Sequence, residues 1–268
     1  MGASAALDHR RPPPFLVHRR CSFNQGLCFL ALPPRYCRCS VRTAIIIPAL
    51  DEEQAIPLVL ADIPRSLEAL VVVVDNGSTD RTAEVAQAAG AVVLSEPRRG
   101  YGGACLEGIS WLARQDPQPE VVVILDADHS DDPALLPEFV DLIESGAADL
   151  VLSTRTQGGA EPGSMTAVQV WGNRLQTFAV RHRFGLQLTD MGPMRAISWP
   201  ALRRMDMQDR TWGWNIEMAC KAARLGLRIE EVPVSCRNRV GTSKISGTVR
   251  GATRAGAKIL WALSKYGI

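Results

Sequence analysis

Val121-Val122-Val123-Ile124-Leu125-Asp126-Ala127-Asp128 is the stretch from which the fold of this chain is read. Five apolar, mostly β-branched residues in unbroken succession describe a strand buried on both faces, as strands of a parallel sheet are. The run stops at two carboxylates spaced i, i+2. Such residues point the same way only while the chain stays extended; here it leaves the sheet, and both acids turn toward one point at the strand's carboxyl end. In open α/β sheets that edge is where ligands bind. Hard cations such as Mg²⁺ or Mn²⁺ take carboxylate oxygens and keep positions open for substrate phosphates. On a surface loop the pair Asp126/Asp128 would mean little; at the end of a buried strand it reads as a metal site.

The same grammar repeats on either side. Ala44 to Ile47 is a buried strand ending at Pro48, followed by a helix from Glu52 to about Leu67. Val71 to Val74 is a second strand, and the turn Asp75-Asn76-Gly77-Ser78-Thr79-Asp80 feeds a helix that Gly90 ends as its C′ residue. Ala91 to Leu94 is a third strand, then the loop Arg98 to Gly103 and a helix to about Ala113. Beyond the organising strand, Asp132-Pro133 forms an N-cap and first turn for a helix ending near Gly146. Leu150 to Leu152 is a further strand. Strands and helices alternating at this spacing predict right-handed βαβ units, hence an α/β fold with a mostly parallel sheet flanked by helices. The second half is less regular. It reads as a helix from Thr166 to about Phe184, a strand with a turn from Leu186 to Ile197, a helix from Trp214 to Leu225, and a strand from Arg228 to Val234. A Gly-, Ser- and Thr-rich loop from Ser235 to Gly247 precedes a last helix.

Length and charge set the outer limits. A chain of 268 residues holds one large domain or two small ones, and the reading is one domain over 43–268. Seven of its 30 basic residues and only one of its 28 acids lie in residues 1–42. The remainder is therefore net acidic, which excludes nucleic acid as a partner on charge grounds. Residues 1–42 have no hydrophobic period and contain Pro12-Pro13-Pro14; they read as a disordered or mis-started extension, with an Arg-rich transit peptide as the alternative. Cys21, Cys28, Cys37 and Cys39 fit no familiar zinc spacing. Cys105, Cys220 and Cys236 are scattered, so a reducing, cytoplasmic compartment is expected. No run approaches the length of a transmembrane helix.

Acids recur at three strand ends: Asp51, Glu52 and Glu53 after the first, Asp75 after the second, Asp126 and Asp128 after the organising strand. Gathered in one crevice they would repel one another unless something positive sits there. At this point the chain resembles a known family. Ile47-Pro48-Ala49-Leu50-Asp51-Glu52-Glu53, Val74 to Asp80 and Asp126-Ala127-Asp128, in this order, resemble family 2 glycosyltransferases of the GT-A fold. Thr189 to Ile197, Gly213 to Met218 and Arg239 to Gly247 narrow the likeness to the dolichyl- and polyprenyl-phosphate sugar transferases, over about residues 43–265.

That resemblance implies an inverting hexosyltransferase. It would use a nucleotide sugar of the UDP-glucose or GDP-mannose type, Mg²⁺ or Mn²⁺, and a lipid phosphate acceptor. It puts Pro48, Ala49, Asp51, Glu53, Asp75, Gly100, Gly103 and Asp126 at the nucleotide, with Asp75 accepting from the base and the two glycines letting backbone approach it. Asp126 and Asp128 would hold the metal, Arg155 would sit near phosphate, and Asp190 and Glu217 near the acceptor. The chain departs from the pattern at Ser130, where these enzymes commonly carry Gln, leaving Asp131 or water as substitutes for a third ligand. His129 reads as a loop residue, since a hard cation prefers oxygen. An acceptor phosphate is already anionic, and Arg237, Arg239, Ser243 and Lys244 are suited to hold it. A neutral acceptor would need Asp190 or Glu217 as base. Arg250, Arg254 and Lys258 on one helix face, beside Ile259, Leu260, Trp261 and Leu263, suit a peripheral position at the inner membrane face, with a membrane-anchoring partner subunit as another route there. The alternatives are a soluble or saccharide hydroxyl acceptor, or a non-catalytic subunit of a membrane glycan-assembly complex.

Overall fold

The computed structural model describes residues 42–159 and 161–241, with 261, 264 and 265. The expectations for residues 1–41, for Ser243 and Lys244, and for the helix bearing Arg250, Arg254 and Lys258 lie outside the described residues. Seven strands alternate with helices in the order β1 (Thr43–Ala49), α1 (Ile56–Asp62), β2 (Leu70–Asp75), α2 (Thr82–Ala88), β3 (Val92–Ser95), α3 (Tyr101–Leu112), β4 (Val121–Ile124), α4 (Leu136–Glu144), β5 (Leu150–Thr154), α5 (Arg155–Gly158), α6 (Ala167–Phe184), β6 (Arg195–Ser198), α7 (Trp199–Met205), α8 (Trp214–Arg224) and β7 (Ile229–Pro233). The strands form one sheet in the order β3-β2-β1-β4-β6-β5-β7. Only β6 runs against the rest, antiparallel to both β4 and β5. This is the expected α/β fold with a mostly parallel sheet, in a single domain.

The continuous apolar runs are explained by burial on both faces. Ala44 and Ile46 of β1 face one layer with Val72 and Val74 of β2, beneath α3, α7 and α8. Ile45 and Ile47 face the other, with Val73 of β2 and with Ile56, Ala86 and Phe139 from α1, α2 and α4. Along β1, β4 and β5 neither face meets water, so strict alternation of polar residues does not appear there.

Two expected elements shorten, each for a local reason. The first helix stops at Asp62 because Pro64 forces Ile63 into an extended conformation, φ −65° and ψ 121°. Residues 186–194 do not join the sheet; only Arg195–Ser198 does. The turn before β6 presses Gly192 so close to Ser153 that a Cβ there would overlap the Ser153 carbonyl and hydroxyl. Among the described residues no helix is long and apolar enough to cross a membrane.

Candidate active site

The strand order reverses between β1 and β4: the chain builds β1, β2 and β3 in one direction, then returns to lay β4 beside β1. Such a switch point leaves a crevice outside the carboxyl ends. Here Ala49 pairs with Asp75 and Ile46 with Ile124, so three strands finish at one edge. The crevice is a cavity of about 590 Å³, within the range of small-ligand sites. Its wall is made by Pro48 to Glu52, Asn76, Arg99 to Tyr101, Asp126 to Asp128, Thr211, Trp212 and Arg239.

Asp126 lies at its floor and accepts a hydrogen bond from the Tyr101 hydroxyl, 3.0 Å. Burial, and then the charge of Asp128, push Asp126 up to about 6, against the pull of Tyr101, Arg155 and Arg195. Asp128 faces a guanidinium: Arg239 Nη1 is 3.2 Å from its Oδ2, while Arg239 Nη2 is 2.9 Å from Glu52 Oε1. Beneath them, Asp131 is 2% exposed and neither carboxylate oxygen has a hydrogen-bond partner among the described residues. Burial, and then the nearby Asp126 and Asp128 charges, push its pKa well above the ordinary carboxylate value. Arg195 supplies a fixed positive charge under the site. It is 1% exposed and donates to the carbonyls of Gly192, at 3.0 and 2.8 Å, and of Asn215, at 3.4 Å.

Pro48, Ala49, Asp51, Gly100, Asp126, Asp128 and Arg239, all expected site residues, line the cavity. Asp51 adopts φ 51°, and its Oδ1 accepts from the Thr79 amide at 2.6 Å. The other expected residues stand elsewhere. Asp75 tops β2, but its Oδ1 closes a turn by accepting from Ser78 N, and the neighbouring Asn76 forms the wall. Glu53 is turned to the start of α2, accepting from Arg81 N at 3.1 Å. Gly103 lies under the connection between α7 and α8, donating its amide to Arg210 O at 2.9 Å. The approach that Gly100 permits is to that same carbonyl, which a Cβ at Gly100 would overlap.

The acids expected near the acceptor are both fully buried. Asp190 grips Arg155 through Nε to Oδ2 and Nη2 to Oδ1, each 2.8 Å, and also accepts from the amides of Arg155 and Met191. Burial lowers the Arg155 pKa, but the Asp190 hydrogen bond and charge together carry it above the ordinary arginine value. Glu217 accepts from the amides of Gln208 and Asp209 at 2.9 and 2.7 Å, and Lys221 Nζ lies 2.7 Å away. It shapes the connection that carries Thr211 and Trp212. Arg237 is held between Asp62, 3.1 Å, and Asp132, 2.9 Å, and His129 is hydrogen-bonded to the same Asp62 oxygen at 2.9 Å. With Arg237 N donating to Ser130 O and Val240 N to Asp128 O, residues 235–241 form a strap across the Asp126–Asp132 loop.

Sequence reasoning passed over Tyr101, Asn76, Arg195 and Trp212. Asn76 donates to the carbonyls of Glu96 and Arg98 and accepts from Gly100 N, 2.7 Å, so it ties the end of β2 to the start of α3. Its place in a strand-end turn was the available signal. For Arg195, an arginine inside an apolar strand run, the signal was the anomaly itself.

Among the described residues no group of three or more His, Cys, Asp or Glu has a metal-holding arrangement. What the cavity offers a cation is the pair of hard carboxylates Asp126 and Asp128 on its lining. That suits Mg²⁺ or Mn²⁺, which take one or two carboxylates and complete their shell with substrate phosphate and water. Such an ion would also relieve the repulsion that raises Asp126.

Comparison with known proteins agrees with this geometry. The family model described as "Glycosyl transferase family 2" matches residues 44–228. An uncharacterised glycosyltransferase of Mycobacterium tuberculosis is 41% identical over 216 residues, covering 78% of this chain and 91% of that protein. The undecaprenyl-phosphate mannosyltransferase of Micrococcus luteus is 32% identical over 242 residues, covering 82% and 96%. Among solved structures, the glucosyl-3-phosphoglycerate synthase of M. tuberculosis in complex with Mn²⁺, UDP-glucose and phosphoglyceric acid superposes with a TM-score of 0.68 at 23% identity, covering 86% of this chain and 82% of that one.

Proposed function

Because the chain belongs to glycosyltransferase family 2, we propose that it moves a hexose from a nucleoside diphosphate sugar to the phosphate of a polyprenyl-type lipid, inverting the anomeric centre. The donor occupies the cavity at the switch point, and Asp126 and Asp128 would hold a Mg²⁺ or Mn²⁺ ion. The lipid phosphate transferase among the relatives and the Mn²⁺–UDP-glucose complex on the same fold support this reading.

One observation carries the choice of acceptor. A hydroxyl must lose a proton to become a nucleophile, and Asp190 and Glu217, the two acids expected to take it, are fully buried with both oxygens of each already bound. A phosphate brings its own anionic oxygen and needs no base. What it needs is a cationic wall, and Arg239, at the rim, would provide one once a cation took its place beside Asp128. Arg237 serves the strap instead, and Ser243 and Lys244 continue that segment in sequence. The Tyr101 hydroxyl fixes the orientation of Asp126; Asn76 and Asp51 shape the end that would receive the nucleotide. The bound cation would offset charge building on the departing diphosphate.

The test sets a polyprenyl phosphate against the matching polyprenol, with UDP-glucose and GDP-mannose as donors and nucleoside diphosphate release as readout. Transfer to the phosphate alone is expected. Excess chelator should abolish it, and Asp128→Ala should lower it by roughly a thousandfold, several kcal/mol of transition-state stabilisation. Equal transfer to the alcohol would sink the acceptor assignment, and full turnover in chelator the metal.

A further inference from the structure

Helix α6 carries an apolar stripe that nothing in the described fold covers. Its inner face is settled: Val180 is fully buried with Met191 and Ala219, and Asn173 Oδ1 accepts from Met191 N at 2.8 Å. On the opposite side Trp171 is 70% exposed, Leu175 44% and Phe178 65%. They stand at i, i+4 and i+7, and His182 at i+11 continues the row, stacked on Phe178 with ring centroids 6.0 Å apart. A period of about 3.6 residues puts these four on one line along the helix. Isolated exposed apolar residues are ordinary, but an ordered row with two large aromatics is not.

The charges beside this row identify its occupant. The 18 residues of α6 include Arg174, Arg181 and Arg183 and no acid. Helical geometry places Arg174 and Arg181 along one flank of the stripe and Arg183 on the other. The Arg174 guanidinium lies 5.8 Å from the Trp171 ring centre, so charge and apolar ring are presented together. A basic helix with Trp, Phe and Leu on its outer face matches the boundary between anionic headgroups and acyl chains. A second copy of the chain fits poorly, because a two-fold pairing of this face would set arginines against arginines.

We propose that the outer face of α6 docks the protein on an anionic bilayer, with Trp171, Leu175 and Phe178 entering the interface and Arg174, Arg181 and Arg183 binding headgroup phosphates. The helix is well placed to couple this contact to the site. Asn173 holds Met191, the neighbour of Asp190, while Glu161, just before α6, accepts from Asn238 of the strap at 2.8 Å.

Flotation of the full chain with vesicles tests it. One set is phosphatidylcholine alone and the other contains about one-third phosphatidylglycerol, enough to create a negative surface potential. The protein should float with the anionic vesicles only and be released by salt. Trp171→Ala/Phe178→Ala and Arg174→Glu/Arg181→Glu should each lower the bound fraction about tenfold, with melting temperature unchanged because these side chains are exposed. Failure of the parent protein to float, flotation indifferent to lipid charge, or variants that bind like the parent would each overturn the proposal. So would loss of a dimer, rather than of vesicle binding, in Trp171→Ala/Phe178→Ala. No donor or acceptor enters this assay, so its failure leaves the transferase reading untouched.

Discussion

Asp190 and Arg155 show how a side chain's chemistry depends on what it already touches. A carboxylate at a strand edge near an acceptor looks like a base, yet this one is spent on a bidentate ion pair and two amides. Removing one charge from a buried pair leaves the other unpaired, which typically costs about 3–5 kcal/mol. Asp190→Asn should therefore lower the unfolding midpoint in denaturant as well as activity; an active-site base alone would leave stability unchanged. Arg239 has the opposite character, since its pairing with Asp128 uses an oxygen that a cation would also use. Arg239→Ala should tighten Mn²⁺ binding to the donor-free protein while impairing transfer, a split that calorimetry and turnover together would reveal. Asp131 yields a pH signature. Its folded pKa lies well above the unfolded value, through burial and then Asp126 and Asp128. Below the unfolded value both states hold the proton and the residue is neutral in effect. As pH rises past it the unfolded chain ionises first, and the folded state loses relative stability. In chelator, Asp131→Asn should raise the melting temperature at about pH 7 and leave it unaltered near about pH 3.

At the scale of elements, the start of α3 explains why so many glycines sit in one turn. Gly102 N donates to Thr211 O and Gly103 N to Arg210 O, so carbonyls of the α7–α8 connection satisfy amides that the helix itself leaves open. Contact this close leaves no room for a side chain: a Cβ on Gly102 would overlap the Asp209 carbonyl. The connection is braced from behind by Glu217 and from the side by Arg210 on Glu96, 2.6 Å. Gly102→Ala should push Thr211 and Trp212 out of the cavity wall and weaken donor binding at least tenfold, seen as a raised KM. Gly146→Ala is the control. Its φ is +73° but a Cβ would meet nothing within 4 Å, so the cost is backbone strain alone, about 1 kcal/mol, with donor binding intact.

For the whole molecule, an open sheet with one reversed strand brings together the cavity at the switch point, a strap and a basic helix from distant parts of the chain. The sheet was legible in the sequence because its cause is local. A strand buried on both faces must be apolar throughout, as Val121 to Leu125 is, and parallel strands need helical crossovers of the length seen between them. The acidic pair at its end was legible for the same reason: a strand that stops at Asp126 and Asp128 delivers them to the sheet edge whatever surrounds them. The fate of the other charged residues was not, because it depends on partners far away in sequence. Asp190 looks reactive until Arg155, 35 positions earlier, claims it, and Arg237 looks free until Asp62, 175 positions away, does. Gly100 and Gly103 announced a close approach without saying to what, since an absent Cβ has no direction until the α7–α8 connection is folded against it. Local sequence thus determined the sheet, its crossovers and the carboxylates at its edge. Tertiary structure alone decided which of the remaining ionisable groups stay available for chemistry, because a charge is neutralised by whatever the fold brings within about 3 Å of it.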